Sequence, residues 1–380
     1  MVRFIHTADL QIGMPFHRVP GDKGARLRAV RLEALREISR VAAEHEVDFV
    51  VVAGDFFDAN TVADEVVVQA CERLSRIPVP VYILPGNHDF CGGPGSVYHR
   101  ASFLKNRPGH VTVLEKPEPV VAAGGAAVIL PAPLHHRRIV GESTAHLTAD
   151  FGREAAPGAV RIGLAHGGVV AFELDWEEKP TNFVDPDRVE SAELDYLALG
   201  DWHGLLEVRP RTWYSGTPEP TSFKSRNPGY LLVVEVAARG AEPRVVPVQV
   251  ARTRWLSHEV ELNTDPDLDA LASWFASLDR PEDTVVRLNL RGTLTLAGVA
   301  RLDELLTTRR HLLLDLRVDD SVVPMASDEE LLEIATDGYL RSTVDELRGL
   351  VAQGGEQGAI AARALQVLYQ LHREIQDAAH

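Results

Sequence analysis

Six short runs of mostly valine, isoleucine and leucine punctuate the first two-thirds of the chain, at residues 49–53, 79–84, 126–130, 160–164, 196–199 and 230–234. Apolar runs of this length without alternation predict strands covered on both faces. Between them the period changes. Residues 25–44 place Leu27, Val30, Ala34, Leu35, Ile38 and Val41 at helical spacing, and residues 61–77 do the same with Val62, Val66, Ala70, Leu74 and Ile77. Both patterns predict helices that cover the sheet or an oligomer contact.

After about residue 250 the texture shifts. Residues 257–262, 285–290 and 312–318 read as strands and residues 265–278 and 297–307 as helices, together a small β-α-β-α-β unit. Ser327-Asp328-Glu329-Glu330 has capping-box form and is expected to open an acidic helix. Gln353-Gly354-Gly355 then breaks the chain before a last helix over residues 359–376, where Ala361, Ala364, Leu368, Leu371 and Ile375 make a heptad-like stripe. The stripe has two readings: docking on a partner's coiled coil, or packing against the small unit before it. Three regions are expected, residues 1–250, 251–325 and 326–380.

Composition narrows the class. At 380 residues, 45% hydrophobic and 25% charged, the chain is expected to be a globular protein with one sizeable core and smaller units. No apolar run approaches the ~18 residues of a membrane span, and the first candidate motif follows so soon after Met1 that no signal peptide is expected. The cytoplasm is the expected location, with no membrane contact. Cys71 and Cys91 are too few for a disulfide framework, and Cys71 reads as a core residue.

The net charge of −16 argues at first against a nucleic-acid substrate. Its distribution weakens that objection, because residues 255–380 carry 11 arginines and no lysine against 23 acidic residues, while residues 1–254 carry 28 basic against 32 acidic. Arg18, Lys23, Arg26, Arg28, Arg31, Arg36 and Arg40 also cluster. They read either as a phosphate track or as the wet face of a helix.

Candidate chemistry sits at the ends of the strand-like runs, where layered sheets gather ligands. Asp9-Leu10-Gln11, Gly54-Asp55-Phe56-Phe57-Asp58, Gly86-Asn87-His88-Asp89, His166-Gly167 and Gly200-Asp201-Trp202-His203 follow in order. Carboxylates, amides and imidazoles in this number suit two divalent ions, which neutralise a phosphoryl group and activate water. Asp55 is the candidate bridging carboxylate. Asp9 with Gln11, and Asp201 with His203, are i, i+2 pairs that an extended backbone would aim the same way. His88 is placed to protonate a leaving oxygen, and Asp58 and Asp89 to orient His88 or backbone amides. His135-His136-Arg137-Arg138 reads as a DNA-backbone contact or as a solvated loop. Trp176, Trp202 and Trp213 offer stacking surfaces for unpaired bases, although Trp202 is expected to face away from its neighbours and pack.

On these motifs the chain resembles the calcineurin-like metallophosphoesterases, and within them the SbcD-type DNA double-strand-break repair exonucleases, including the YhaO-like branch. The likeness spans about residues 1–235. It includes His6-Thr7-Ala8-Asp9 and Tyr214-Ser215-Gly216-Thr217-Pro218-Glu219-Pro220, the latter similar to the family's tyrosine-proline-glycine-serine stretch. The resemblance implies an α/β fold, a four-layer metallophosphoesterase β-sandwich flanked by helices, with a small α/β cap domain that narrows access and C-terminal helices that bind a partner. It implies that Asp9, Gln11, Asp55 and His203 hold one metal and that Asp55, Asn87, His166 and Asp201 hold the other. Gln11 stands where the family has histidine, and Asp201 where Gly-His-x-His has its first histidine. The donor set is therefore richer in oxygen, which suits Mn2+ or Mg2+ better than zinc. The implied activity is a DNA phosphodiesterase in which His88 helps the 3′ oxygen depart. The implied partners are DNA, an SbcC-like or YhaN-like coiled-coil ATPase and a second copy of the chain, met through the helix near residues 61–77. Two alternatives stay open, a small-molecule phosphatase or cyclic-nucleotide phosphodiesterase and a non-catalytic subunit of an ATPase complex.

Overall fold

Strands that are apolar at every position need cover on both faces, and this requirement sets the architecture. The computed structural model describes residues 1–169, 181–325, 327, 330 and 338–378, and the chain divides into two compact units, Met1–Thr253 and Arg254–His380. In the first unit, one sheet contains β1 (Val2–Thr7), β2 (Phe49–Ala53), β3 (Val81–Leu84) and β4 (Val111–Val113), all parallel. The other contains β5 (Val120–Ala122), β6 (Ala127–Ala132), β7 (Val160–His166), β8 (Tyr196–Gly200), β9 (Leu206–Arg209) and β10 (Thr212–Tyr214), in the order β5-β6-β7-β8-β10-β9 with antiparallel edges. An antiparallel pair, β11 (Tyr230–Val236) and β12 (Arg244–Gln249), completes the first sheet beside β1.

The inner faces of the sheets share a core that includes Phe4, Phe49, Val51, Ile129, Ile162 and Tyr196, with Phe4 stacked on Phe49 at 5.2 Å. Val50 and Val52 of β2 point the other way, under helices α1 (Gly21–Glu44) and α2 (Asp64–Leu74), against Leu35, Ile38 and Leu74. That is why β2 lacks alternation, and each such buried side chain contributes about 1.5–3 kcal/mol. Cys71 lies buried in the same core. The outer face of the second sheet is covered more thinly, by irregular chain and the single-turn helix α4 (Arg188–Ser191); a like turn, α3 (Ala101–Leu104), lies beside α2. The molecule is thus a mixed α/β fold with two large sheets flanked by helices.

Helix α1 starts four residues before the expected range of 25–44, and α2 is shorter at both ends than its pattern. A larger correction concerns the basic cluster. Arg36 and Arg40 pair with Glu33, Glu37 and Glu44 on the wet face, whereas Arg31 points inward and is 2% exposed.

In the second unit, β13 (Arg254–Leu262), β14 (Thr284–Leu294) and β15 (Asp315–Pro324) form a parallel sheet, packed by α5 (Asp265–Ala276) and α6 (Leu296–Leu312) through Leu268, Phe275, Leu288 and Leu302. The strand expected from residue 312 begins only at Asp315, because Leu312 still belongs to α6. Ser327 and Glu330 make the reciprocal capping bonds, but the acidic helix expected after them lies outside the described residues. Gly354, at φ 71°, separates α7 (Gly338–Gln353) from α8 (Gly355–Ala378). Helix α8 buries Ala361, Leu365 and Tyr369, while Leu371 and Ile375 of the heptad-like stripe are 51% and 70% exposed. Among the described residues, no helix is long and apolar enough to cross a membrane.

Candidate metal centre

The C-terminal ends of β1, β2 and β3 meet those of β7 and β8, so loops from both sheets converge. Loop 8–12 runs beside loop 54–58, with Asp9 N donating to Gly54 O (3.1 Å), Gln11 N to Asp55 O (2.9 Å) and Ile12 N to Phe56 O (2.9 Å). Here the extended-pair expectation fails. Asp9 and Gln11 both adopt left-handed backbone (φ 55° and 43°), as does Asp201 (φ 98°). Their side chains reach a common centre through turns, a conformation that costs of order 1–3 kcal/mol per non-glycine residue and must be held by its surroundings.

The centre itself is compact. Asp9, Asp55 and His166 offer ligand atoms within 4.8 Å of one another. His166 Nδ1 donates to Ala53 O (2.8 Å), which leaves Nε2 aimed at Asp55 Oδ1 (3.5 Å) and Asp201 Oδ1 (3.7 Å). Although buried, His166 Nε2 and Asn87 Oδ1 have no hydrogen-bond partner among the described residues. Buried polar atoms are nearly always satisfied, so an orphan nitrogen aimed at two carboxylates, with an orphan amide oxygen in the same loop cluster, marks room for a cation. Asn87 Nδ2 donates to Asp201 Oδ1 (3.2 Å), and Asp201 N donates to the Asp9 carboxylate (3.1 Å). Across the centre, His203 Nδ1 bonds Thr221 Oγ1 (2.8 Å) and Nε2 lies 3.4 Å from Gln11 Nε2 and 3.9 Å from Asp9 Oδ1. Turning over the Gln11 amide would present its oxygen instead. All seven residues expected to hold metal therefore face one region, and their chemistry fits divalent cations.

Electrostatics agree with this. Burial pushes the Asp9 carboxyl well above its ordinary value, with Asp55 and Asp201 adding to the effect and His166 opposing it. Burial disfavours charge on His166, yet Asp55, Asp9 and Asp201 outweigh it and raise the ring well above its usual range. For Asp55, burial is more than offset by His166, so this carboxyl stays below its ordinary value. Burial, with Arg31 next, lowers His203 to about 4, leaving a neutral ring suited to ligation. A cluster of buried carboxylates that recruits protons is one that a cation can occupy.

The three candidate catalytic residues differ in what they touch. His88 N donates to Asp55 Oδ1 (2.9 Å), its Nδ1 donates to the main-chain carbonyl of Asp58 (2.7 Å), and its Nε2 lies 4.0 Å from Asp55 Oδ2. Asp58 thus holds His88 through its backbone. Burial raises the Asp58 carboxyl, with His88 and Arg31 opposing. Asp89 contacts backbone amides, accepting from Phe57 N (3.0 Å) and Gly86 N (2.7 Å), and from Tyr98 Oη. Burial and then Asp55 raise it to about 6.

Other expected contacts resolve differently. Trp202 and Trp213 are half-buried against the cores, and Trp176 lies outside the described residues. His135, His136, Arg137 and Arg138 are exposed. Two supporting residues escaped the sequence reading. Thr221 carries no local signal. Arg31 carries one, since it stands four residues after Leu27 and four before Leu35, on the buried stripe.

A family profile for calcineurin-like phosphoesterase matches residues 2–234. The uncharacterized metallophosphoesterase YhaO of Bacillus subtilis is 28% identical over 247 residues, covering 60% of this chain and 56% of the relative. The DNA double-strand break repair protein Mre11 of Methanosarcina mazei is 22% identical over 378 residues, 93% of this chain and 55% of its own length. A subunit of the nuclease SbcCD of Bacillus subtilis is 23% identical over 275 residues, covering 63% of this chain and 68% of its own length. The chain spans little more than half the length of the first two relatives.

Proposed function

The chain belongs to the calcineurin-like phosphoesterase family, and from that premise we propose that it is a two-metal phosphodiesterase that cleaves DNA. The observation that carries the metal reading is the pair of buried orphan atoms, His166 Nε2, which lies 3.5 Å from Asp55 Oδ1, and Asn87 Oδ1, whose own amide Nδ2 bonds Asp201. Asp9, Gln11, Asp55 and His203 would hold one ion, and Asp55, Asn87, His166 and Asp201 the other. When bound, two such ions neutralise the phosphoryl oxygens and lower the pKa of the attacking water. Five of these seven residues offer oxygen, which favours Mn2+, with Mg2+ next.

The chain's own groups supply the rest. Because His88 Nδ1 is committed to the Asp58 carbonyl, Nε2, which lies 4.0 Å from Asp55 Oδ2, is the nitrogen that would hand a proton to the departing 3′ oxygen. Asp89 ties Phe57 N to Gly86 N and so fixes the two loops that carry Asp55 and His88.

DNA as substrate is favoured by the relatives named as a DNA double-strand break repair protein and a nuclease subunit. The latter is named as one subunit of a nuclease; a coiled-coil ATPase partner belongs to this reading, and the exposed Leu371 and Ile375 of α8 offer it apolar contact. A homodimer through α2, where Val68 is 40% exposed, belongs to the same reading. So does the division at residues 250 and 325 into nuclease domain, cap and partner-binding region. Two buried free thiols suit the reducing cytoplasm.

The test is an assay of the purified full chain on labelled duplex, single strand and a small phosphodiester, each with Mn2+, Mg2+ or Zn2+. Manganese-supported DNA cleavage is expected, with His88→Ala lowering kcat ~10²–10⁴-fold while Mn2+ binding persists. Turnover of only the small ester would defeat the DNA reading, and maximal activity with zinc would defeat the manganese preference.

A further inference from the structure

Helix α1 sends one charged side chain into the protein, beneath the loop that carries two of the proposed metal-holding residues. Arg31 Nε donates to Gln11 O (3.2 Å), and Nη2 donates to Asp9 O (3.1 Å) and also to Leu10 O. Three consecutive carbonyls therefore converge on one guanidinium. This requires the chain to turn back on itself at residues 9 and 11, the two residues of loop 8–12 with left-handed backbone. The carbonyls face α1 while the Asp9 and Gln11 side chains face His166 and His203.

Arg31 is itself anchored from behind. Its Nη1 donates to Glu219 O (3.1 Å) and its Nη2 to Thr217 Oγ1 (3.4 Å). The same loop supplies Thr221, which holds His203 Nδ1. The Glu219 carboxylate accepts from Arg252 N (2.7 Å), Thr253 N (3.2 Å) and Thr253 Oγ1 (2.8 Å), where the chain leaves the first unit. A buried guanidinium with this many fixed acceptors is a rigid template, and its planar fork is a geometry that an ammonium cannot copy.

Resting on the two-metal reading above, we propose that Arg31 is a positioning residue that sets the Asp9–Gln11 loop for the ion held by Asp9, Gln11, Asp55 and His203. It touches neither substrate nor metal. It acts by holding main-chain carbonyls so that the side chains between them present donors at fixed separation. Outer groups of this kind typically account for 10–100-fold in metal affinity.

The test compares wild type, Arg31→Lys and Glu219→Gln as full chains, stripped of metal and titrated with Mn2+ by calorimetry and electron paramagnetic resonance. Thermal unfolding and circular dichroism verify that each variant is folded. Arg31→Lys keeps the positive charge but not the fork. It should bind one ion at least tenfold more weakly, with the other unchanged, and higher Mn2+ should restore kcat. Glu219→Gln keeps the backbone carbonyl that Arg31 uses, so it should show the same defect more mildly. A merely structural role would lower the unfolding temperature without separating the two ions. Wild type binding two ions while Arg31→Lys binds both unchanged would overturn this inference alone. Wild type binding no manganese would overturn it together with the metal reading.

Discussion

Replacing Gly86 with alanine tests how closely the backbone must approach Asp55. A Cβ built on Gly86 would stand 2.2 Å from Asp55 Oδ1 and 2.4 Å from Asp55 N, where ordinary contact begins near 3.4 Å. One of the two loops must therefore move by about 1 Å. Neither yields easily. Asp55 Oδ1 already accepts from His88 N, Gly86 N is held by Asp89, and loop 54–58 is paired with loop 8–12. Metal–ligand distances tolerate only ~0.2 Å, and a displacement of ~1 Å at a reacting centre costs on the order of 10²-fold in rate. Gly86→Ala should lower kcat by about that factor, weaken Mn2+ binding and destabilise the protein by about 1–3 kcal/mol. The control is Gly95→Ala in the same loop, where an added Cβ meets nothing within 4 Å. Urea unfolding, Mn2+ calorimetry and turnover would be measured on both variants. Should Gly86→Ala match Gly95→Ala in Mn2+ affinity and turnover, Asp55 does not need the approach that the geometry shows.

Three further outcomes follow from particular contacts. Asp58→Asn keeps the carbonyl that holds His88 Nδ1, so its turnover should stay within about tenfold of wild type; a loss as large as that of His88→Ala would mean that the carboxylate acts directly. Gln11→His introduces a nitrogen donor and should raise Zn2+ affinity more than Mn2+ affinity in competition titrations; an unchanged ratio would remove Gln11 from the donor set. His6 is buried between Tyr196 Oη and Leu199 O, and burial, against the Leu199 carbonyl, lowers it from 6.5 to about 3. The folded ring stays neutral as pH falls through that window, while the unfolded chain takes up a proton. Stability must then fall with acidification, and His6→Gln should flatten the urea midpoint between pH 6.5 and 4, whereas an equally steep profile would assign the acid sensitivity elsewhere.

Much of this protein was legible from residue order because its signals are local. A short apolar run without alternation, rich in β-branched residues, favours a strand covered on both sides, and residues 49–53 became β2 with those same limits. The strand-end motifs follow the same logic, since the carboxylates, amide and imidazoles come in tight clusters just past such runs. The short strands β4, β5, β9 and β10 had no such signal. At three or four residues each, they are strands only because a neighbouring edge offers hydrogen bonds.

The sequence by itself singled out seven residues that the fold then turns toward one region, because metal-binding chemistry restricts the side chains that can serve and strand ends restrict where they stand. Tertiary structure alone decided how they are aimed. Left-handed turns at Asp9, Gln11 and Asp201 replaced the extended pairs, the Asp58 backbone rather than its carboxylate took hold of His88, and Arg31 left the wet face of α1 to gather three carbonyls. The reason is physical. Backbone conformation in a loop is fixed by hydrogen bonds to partners distant in sequence, and those partners exist only once the two sheets have closed on each other.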